Sequence, residues 1–243
     1  MKKQLSEQLT ACDSVLSLVD DLYRRNLAKV VLDPSRCATM AVASLYGKAR
    51  KQMKAIHILA SSGYGEDAMI LARSLTNLCI DLGYITTEPA QTETRARRWI
   101  ANGRVQRRKF SRRVGTTPPD EATVDWGKEE ALADEWPKTI DKRAEVAGLE
   151  NFYNLPYRHG SSCEHSDSWS ATSFLELNNV GKTVDMLTAP SDRFVDLALL
   201  TLACCTAEIA SRFGNFYEFD FAGVNEEMAE LVRRAFPLEE ERS

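Results

Sequence analysis

The sequence lacks most of the short motifs that mark common enzyme classes. It has no glycine-rich phosphate loop, no dinucleotide-binding fingerprint, no GxSxG pattern and no HExxH zinc motif. Its six cysteines include no CxxC pair, and it has only three histidines. Chemistry must therefore be sought in side chains that folding brings together, rather than in a local signature.

Long apolar runs are also missing. The longest candidate for a membrane span, residues 194–209, contains Asp196 and Glu208 and is too short. The N-terminal residues lack the uninterrupted apolar core of a secretory signal. We therefore expect a cytoplasmic protein with reduced thiols and no membrane contact. The formal net charge of −4 does not by itself demand a nucleic-acid partner.

Apolar residues recur with helical spacing through most of the chain, without strand-like alternation or an internal repeat. The pattern predicts helices near 6–30, 35–61, 66–86, 138–147 and 193–213, and a short amphipathic helix after 225. We expect an all-α helical bundle, a single domain over 1–243 whose core comes from about 35–88 and 149–215. A charged helical excursion, a basic and acidic insertion over about 90–147, interrupts this core.

The insertion begins with the strongest electrostatic feature of the sequence. Residues 94–113 contain nine arginines or lysines in twenty positions, interleaved with Trp99 and Phe110. Arginines neutralise a phosphate backbone and aromatic rings stack on bases, so this helix is a candidate nucleic-acid surface. The candidate contact residues are Arg97, Arg98, Arg104, Arg107, Arg108, Lys109 and Arg112. The alternative is that the basic helix pairs with the acidic stretch 120–134 of its own chain or of a partner.

A second candidate site is the polar segment 153–170, YNLPYRHGSSCEHSDSWS, which holds two of the three histidines. Histidine exchanges protons near neutral pH, and a guanidinium can hold a phosphate through two hydrogen bonds. The spacing of Arg158 and His165 resembles the arginine–polar–x(4–6)–histidine motif of the HEPN superfamily. Those are helical bundles, many of which are metal-independent ribonucleases. The resemblance implies RNA cleavage through the 2′-hydroxyl, without a cofactor, by a homodimer whose two motifs face each other.

A second resemblance covers more of the chain. The helical hairpin with Arg73-Ser74-Leu75 resembles a bacterial family of unknown function, numbered 5677, and residues Tyr157, Ser161 and His165 match its downstream pattern. Asn77 stands where that family has glutamate. This resemblance covers about 35–90 and 150–215, leaves the charged middle outside, and implies no activity. Together the two resemblances predict a cleft lined by Arg73, Arg158 and His165.

We therefore expect a HEPN-like RNA-binding protein. If the protein is catalytic, we expect a metal-independent ribonuclease of the toxin or phage-defence kind. The catalytic candidates are Arg158, His165, Arg73, Tyr157, Ser161 and His159. The alternative is a non-catalytic helical module that binds or regulates a protein partner, and a small-molecule enzyme with a pocket in the bundle core is a third possibility. His159, Cys163 and His165 do not have the spacing of a structural zinc site, so no metal is predicted.

Overall fold

The computed structural model describes residues 2–118, 120–158, 160–161, 175–177, 184–186, 190 and 192–237. In chain order the helices are α1 (Lys2–Asn26), α2 (Cys37–Ser61), α3 (Gly65–Thr86), α4 (Thr92–Arg113), α5 (Trp126–Asp134), α6 (Ile140–Ala147), α7 (Glu150–Phe152), α8 (Val195–Phe216) and α9 (Val224–Ala235). Short 3₁₀ turns cover Leu27–Lys29 and Pro89–Gln91, and a π-helical turn covers Tyr153–Tyr157. The predicted all-α fold class is confirmed.

A small β-hairpin is an addition that the sequence analysis missed. Strand β1 (Leu175–Leu177) pairs antiparallel with β2 (Val184–Met186), with Glu176 opposite Asp185. Three-residue strands are too short to show a clear alternation of apolar and polar side chains, which is why the periodicity gave no signal.

Helix α3 is the centre of the bundle. It packs against α2 and α8 along most of its length, and also against α6 and the π-helical turn. Its buried residues lie on more than one face, because different helices cover it on different sides. Helices Gly65–Thr86 and Val195–Phe216 are long and apolar enough to cross a membrane, but 67% and 61% of their apolar windows are buried inside the protein. Buried helices at the centre of a bundle have the same composition.

Phe213 of α8 is the centre of an aromatic cluster that joins α1, α2 and α8. Its side chain is 2% exposed, and its ring stacks on that of Tyr46 with 3.8 Å between ring centroids. The rings of Tyr23, Tyr217 and Phe219 lie 6.2, 4.8 and 5.6 Å from it. Aromatic packing of this kind adds to the energy of simple area burial, so this cluster fixes how α1 and α2 meet α8.

The start of α4 is fastened to the core. The Glu93 carboxylate accepts hydrogen bonds from the backbone N–H groups of Cys37 and Ala38, at 2.8 and 3.0 Å, and so caps α2 from fifty-six residues away. Arg95 is buried, donates to the carbonyl of Tyr84 and pairs with Glu88. The first turn of α4 therefore belongs to the packed bundle.

The end of the charged middle region also contacts the core. Arg143 of α6 donates to Asp81 of α3 at 2.7 Å, and both side chains are largely buried. Burial raises the pKa of the Asp81 carboxyl, although the Arg143 guanidinium opposes that shift. Trp136 packs edge-on against Tyr84, with 5.1 Å between the ring centroids. Both ends of the predicted insertion are thus held by α3.

Candidate functional site

Arg73 lies on α3, between buried Ala72 and the half-buried Ser74. Each residue of the Arg73-Ser74-Leu75 triplet has its own neighbour. Leu75 is fully buried in the core, and the Ser74 hydroxyl accepts a hydrogen bond from the Gln52 amide of α2 at 2.7 Å. Arg73 turns the other way, towards the π-helical turn. The triplet thus joins the core, α2 and the polar segment at one point of α3.

The Arg73 guanidinium is held by two hydroxyl groups of the polar segment. Its Nε donates to Ser161 Oγ at 2.8 Å, and one terminal nitrogen donates to the Tyr157 hydroxyl at 3.1 Å. The guanidinium carbon also lies 4.7 Å from the centroid of the Tyr157 ring, a cation–π distance. These contacts, made across 84 and 88 residues of sequence, fix the position and plane of the cation.

Three of the six predicted catalytic residues therefore meet in one place, and we call these three, Arg73, Tyr157 and Ser161, the Arg73 cluster. Arg158 is exposed, and its guanidinium carbon lies 6.0 Å from the ring centroid of Tyr153. The Tyr153 and Tyr157 rings stack on each other at 5.2 Å. A pair of stacked tyrosines thus has one arginine associated with each ring. A guanidinium group can hold a carboxylate or a phosphate through two hydrogen bonds.

The backbone of the π-helical turn, and of Gly160 three residues after it, makes this contact possible. A π-helical turn is rare and is often found at functional sites. Gly160 is buried directly against α3, and a Cβ built on it would lie 2.4 Å from Arg73 Cβ and 3.0 Å from the Met69 carbonyl oxygen. Only glycine allows the segment to approach so closely. Gly160 was not among the predicted site residues, and its one signal in the sequence is its place inside a polar cluster, between two candidate residues.

Of the three histidines, only His57 lies among the described residues. His165 and His159, together with Cys163, lie outside the described residues. His57 lies between α2 and α1, with Nε2 3.1 Å from Oδ1 of Asp13, so it belongs to a helix contact and not to the Arg73 cluster. Among the described residues, no group of three or more His, Cys, Asp or Glu side chains could hold a metal ion.

The basic helix α4 faces the acidic residues that follow it. We call α4, α5 and their connection, residues 92–135, the arm, and we call residues 120–135 the acidic segment. Five of the seven predicted nucleic-acid contacts pair with this segment: Arg98 with Glu135, Arg104 with Glu129, Arg107 with Asp120, Arg108 with Glu121 and Glu130, and Arg112 with Glu121. Arg97 and Lys109, both exposed, are outside the ion pairs seen in the described part of the chain. Pairing within the chain, one of the two alternatives, is what the structure contains.

Arg108 is at the centre of this network. Its side chain is 13% exposed and contacts both oxygens of Glu121, with the shortest distance 2.7 Å. Its guanidinium carbon lies 4.2 Å from the ring centroid of buried Trp126. The hydrogen bond from Arg108 lowers the pKa of the Glu121 carboxyl below its usual value. Arg108 and Glu121 are thus the most tightly matched charges of the arm.

Two cavities lie near these sites. An open groove of about 670 Å³ runs along the arm, with Lys109, Lys138 and Arg143 among its walls. A smaller apolar cavity of about 160 Å³ lies between the π-helical turn and α8, bounded by Phe152, Pro156 and other residues. The larger groove is not at the Arg73 cluster. We give more weight to the cluster than to cavity size, because converging polar groups, and not volume alone, define a binding site.

The family of unknown function DUF5677 matches residues 39–183. This chain belongs to DUF5677. The match includes Arg73 and Tyr157, as the resemblance predicted, but it also includes the whole arm, which the sequence analysis had placed outside it. It ends before α8, although α8 is part of the core. No curated protein and no solved structure matches the chain.

Proposed function

We propose that this DUF5677 protein is a HEPN-like RNA-binding protein that holds a backbone phosphate at the Arg73 cluster. The observation that carries the proposal is the fixed guanidinium of Arg73, held by Tyr157 and Ser161 at the start of the segment that contains the HEPN-like motif. A positioned guanidinium binds phosphate oxygens more strongly than a mobile one, because less side-chain freedom is lost on binding. Exposed Arg158 supplies a second cation from the same segment.

The activity proposed for this site is metal-independent RNA cleavage. The RNA 2′-hydroxyl attacks the adjacent phosphorus, a bond forms between the 2′-oxygen and phosphorus, and the bond to the 5′-oxygen breaks. His165 accepts the proton of the 2′-hydroxyl, and a protonated imidazole, its counterpart in the second copy of a homodimer, donates a proton to the leaving 5′-oxygen. Arg158 and Arg73 neutralise the charge that builds on the phosphate.

RNA binding and cleavage by three variants test this proposal. Because charge-assisted hydrogen bonds are lost, Arg73→Gln should weaken binding of a labelled single-stranded RNA by about tenfold to a hundredfold. His165→Ala should abolish cleavage in the presence of a chelator and leave binding intact. His57→Ala is the matched control, since His57 contacts Asp13 of α1, and it should retain both properties.

For each variant, a different result would contradict the proposal. Cleavage by His165→Ala at the rate of the unmodified protein would remove that residue from the mechanism. Unchanged RNA affinity in a folded Arg73→Gln protein would remove the phosphate site. Circular dichroism and thermal unfolding of each variant separate a damaged fold from a damaged site.

A second function, a non-catalytic module that binds a protein partner, is favoured by one observation. Five arginines of the arm are paired with carboxylates of the same chain, which reduces the positive field available to RNA. A salt titration separates the two functions. RNA affinity should fall linearly on a log–log plot against salt, whereas an apolar helix–helix interface should change little.

A further inference from the structure

The arginine face of α4 is occupied by carboxylates spaced along one following segment. Glu121 contacts Arg108 and Arg112, and Glu129 and Glu130 contact Arg104 and Arg108. A chain of negative charges lying along a row of arginines has the same charge pattern as a polyanion bound to that row. The acidic segment therefore lies where a nucleic-acid backbone would lie.

Six ion pairs join α4 to the acidic segment, beside a contact of mostly small apolar side chains. The buried apolar side chains between α4 and α5 are small, namely Ala101, Val105 and Ala133, with Leu132 packed beside them. Trp126 is the one large buried ring of α5, and a cation, Arg108, covers it. Salt screens exposed ion pairs, and regions with few buried apolar contacts open at low energetic cost. The acidic segment is thus the part of this region most easily separated from α4.

The match between the two sides is also incomplete. Asp120 Oδ1, Glu129 Oε2 and Arg98 Nε are buried atoms that have no hydrogen-bond partner within the described part of the chain. At the edge of the network, Arg107 and Arg112 have side chains that are 51% and 59% exposed. An incoming anion can therefore contact these two arginines before any internal ion pair breaks, and its oxygens can accept a hydrogen bond from Arg98 Nε, the one donor among the three unsatisfied atoms.

We infer that the acidic segment is a displaceable cover, which occupies the arginine face of α4 and gives way to a polyanion. The identity of that polyanion as RNA rests on the proposed function, but the displacement itself depends only on the charges of the arm. In the covered state the arm contributes little to binding. In the open state Arg104, Arg108 and Arg112 contact phosphates, and the counterions that these phosphates release favour the exchange.

Two carboxylates that both contact Arg108 provide the test. The variant Glu121→Gln/Glu130→Gln removes charge from the cover and leaves every arginine in place. It should bind inorganic polyphosphate, and a short single-stranded RNA, on the order of tenfold more tightly than the unmodified protein. For the RNA, the log–log salt dependence should steepen by about 0.7 for each additional phosphate contacted. The matched control is Glu226→Gln/Glu227→Gln, which makes the same change in net charge at exposed residues of α9.

A second measurement requires no ligand. Hydrogen exchange of the α5 amides in the unmodified protein should accelerate as salt is raised, while the amides of α3 stay protected, because ion pairs join α5 to α4 whereas α3 is buried in the apolar core. If α5 exchange does not respond to salt, the segment is not held as a displaceable cover. If the two double variants bind polyphosphate equally, the carboxylates do not compete with a ligand and the inference is wrong.

The failures of the two proposals are distinguishable. Tighter polyphosphate binding by Glu121→Gln/Glu130→Gln, together with unchanged RNA binding by Arg73→Gln, would support the cover and contradict the phosphate site at Arg73. The reverse pair of results would support the site and contradict the cover.

Discussion

Replacement of Gly160 by alanine is the sharpest test of the contact between α3 and the polar segment. The new Cβ would lie 2.4 Å from Arg73 Cβ, whereas carbon atoms pack at about 3.5–4.0 Å, so the turn must move by about 1 Å or more. A shift of that size takes Ser161 Oγ, now 2.8 Å from Arg73 Nε, beyond hydrogen-bond distance. We expect the Tyr157 hydroxyl to move away from Arg73 as well, because Tyr157 lies three residues before Gly160 in the same segment.

The expected cost follows from these two bonds. Hydrogen bonds to a charged group contribute about 1.5 kcal/mol each at the lower end of their range, so their loss removes about 3 kcal/mol. Alanine restores at most about 1 kcal/mol, because it restricts the unfolded chain more than glycine does. We therefore expect Gly160→Ala to lower the free energy of unfolding by about 2 kcal/mol, and to weaken anion binding at Arg73.

Urea denaturation followed by circular dichroism measures the stability, and Gly47→Ala is the matched control. Gly47 is exposed on α2 and a Cβ there would meet no atom within 4 Å, so that variant should gain about 0.5–1 kcal/mol. A Gly160→Ala protein as stable as Gly47→Ala would show that the segment does not pack against Arg73 as described. The reasoning from the close approach would then be wrong.

Two further predictions concern the core and the arm. Phe213→Ala should destabilise the fold by about 3–5 kcal/mol in the same denaturation assay, because it empties the centre of the aromatic cluster, whereas Phe110→Ala, at a residue 66% exposed, should have almost no effect. In the folded protein the pKa of Glu121 lies below its usual value of 4.5. The stability that this carboxylate contributes to the arm is therefore fully present above pH 4.5. It is lost as the pH falls through the lowered pKa. An NMR titration of the Glu121 carboxyl should therefore show a midpoint below 4.5 that returns towards 4.5 in Arg108→Gln; equal midpoints would contradict the assigned cause.

Much of the helical framework could be predicted from the sequence, since α2 and α3 start and end within about two residues of the expected positions. Arg73 was identifiable because an arginine among leucines needs a partner or access to solvent. The two resemblances predicted a cleft lined by Arg73, Arg158 and His165. The contacts of Arg73 with Tyr157 and Ser161 were not predicted, because contacts across more than eighty residues leave no periodic signal. Both alternatives for the basic helix, binding to nucleic acid or pairing with the acidic stretch, could be stated from the sequence. The choice between them depends on tertiary geometry.

Other features had no signal that a single sequence provides. Asp33 and Ser35 precede α2 and are residue types that commonly cap helices, but Asp33 accepts hydrogen bonds from Ser35, and Glu93 caps the helix from α4. A side-chain cap is recognisable when it precedes its helix, and not when it comes from a distant one. Gly160 was missed for a similar reason, because what requires glycine there is the surface of another helix.

The cap that Glu93 supplies bears on how this protein can be divided. Charged middle regions are commonly treated as decorations that can be trimmed to obtain a smaller fragment. Removing this one would leave two amides at the start of α2 without acceptors, and would also take away Arg143 from Asp81 inside the bundle. A fragment that joins residue 88 directly to residue 149 would lack parts of its own interior, so the shortest autonomous piece of this protein must retain the segment that its composition marks as dispensable.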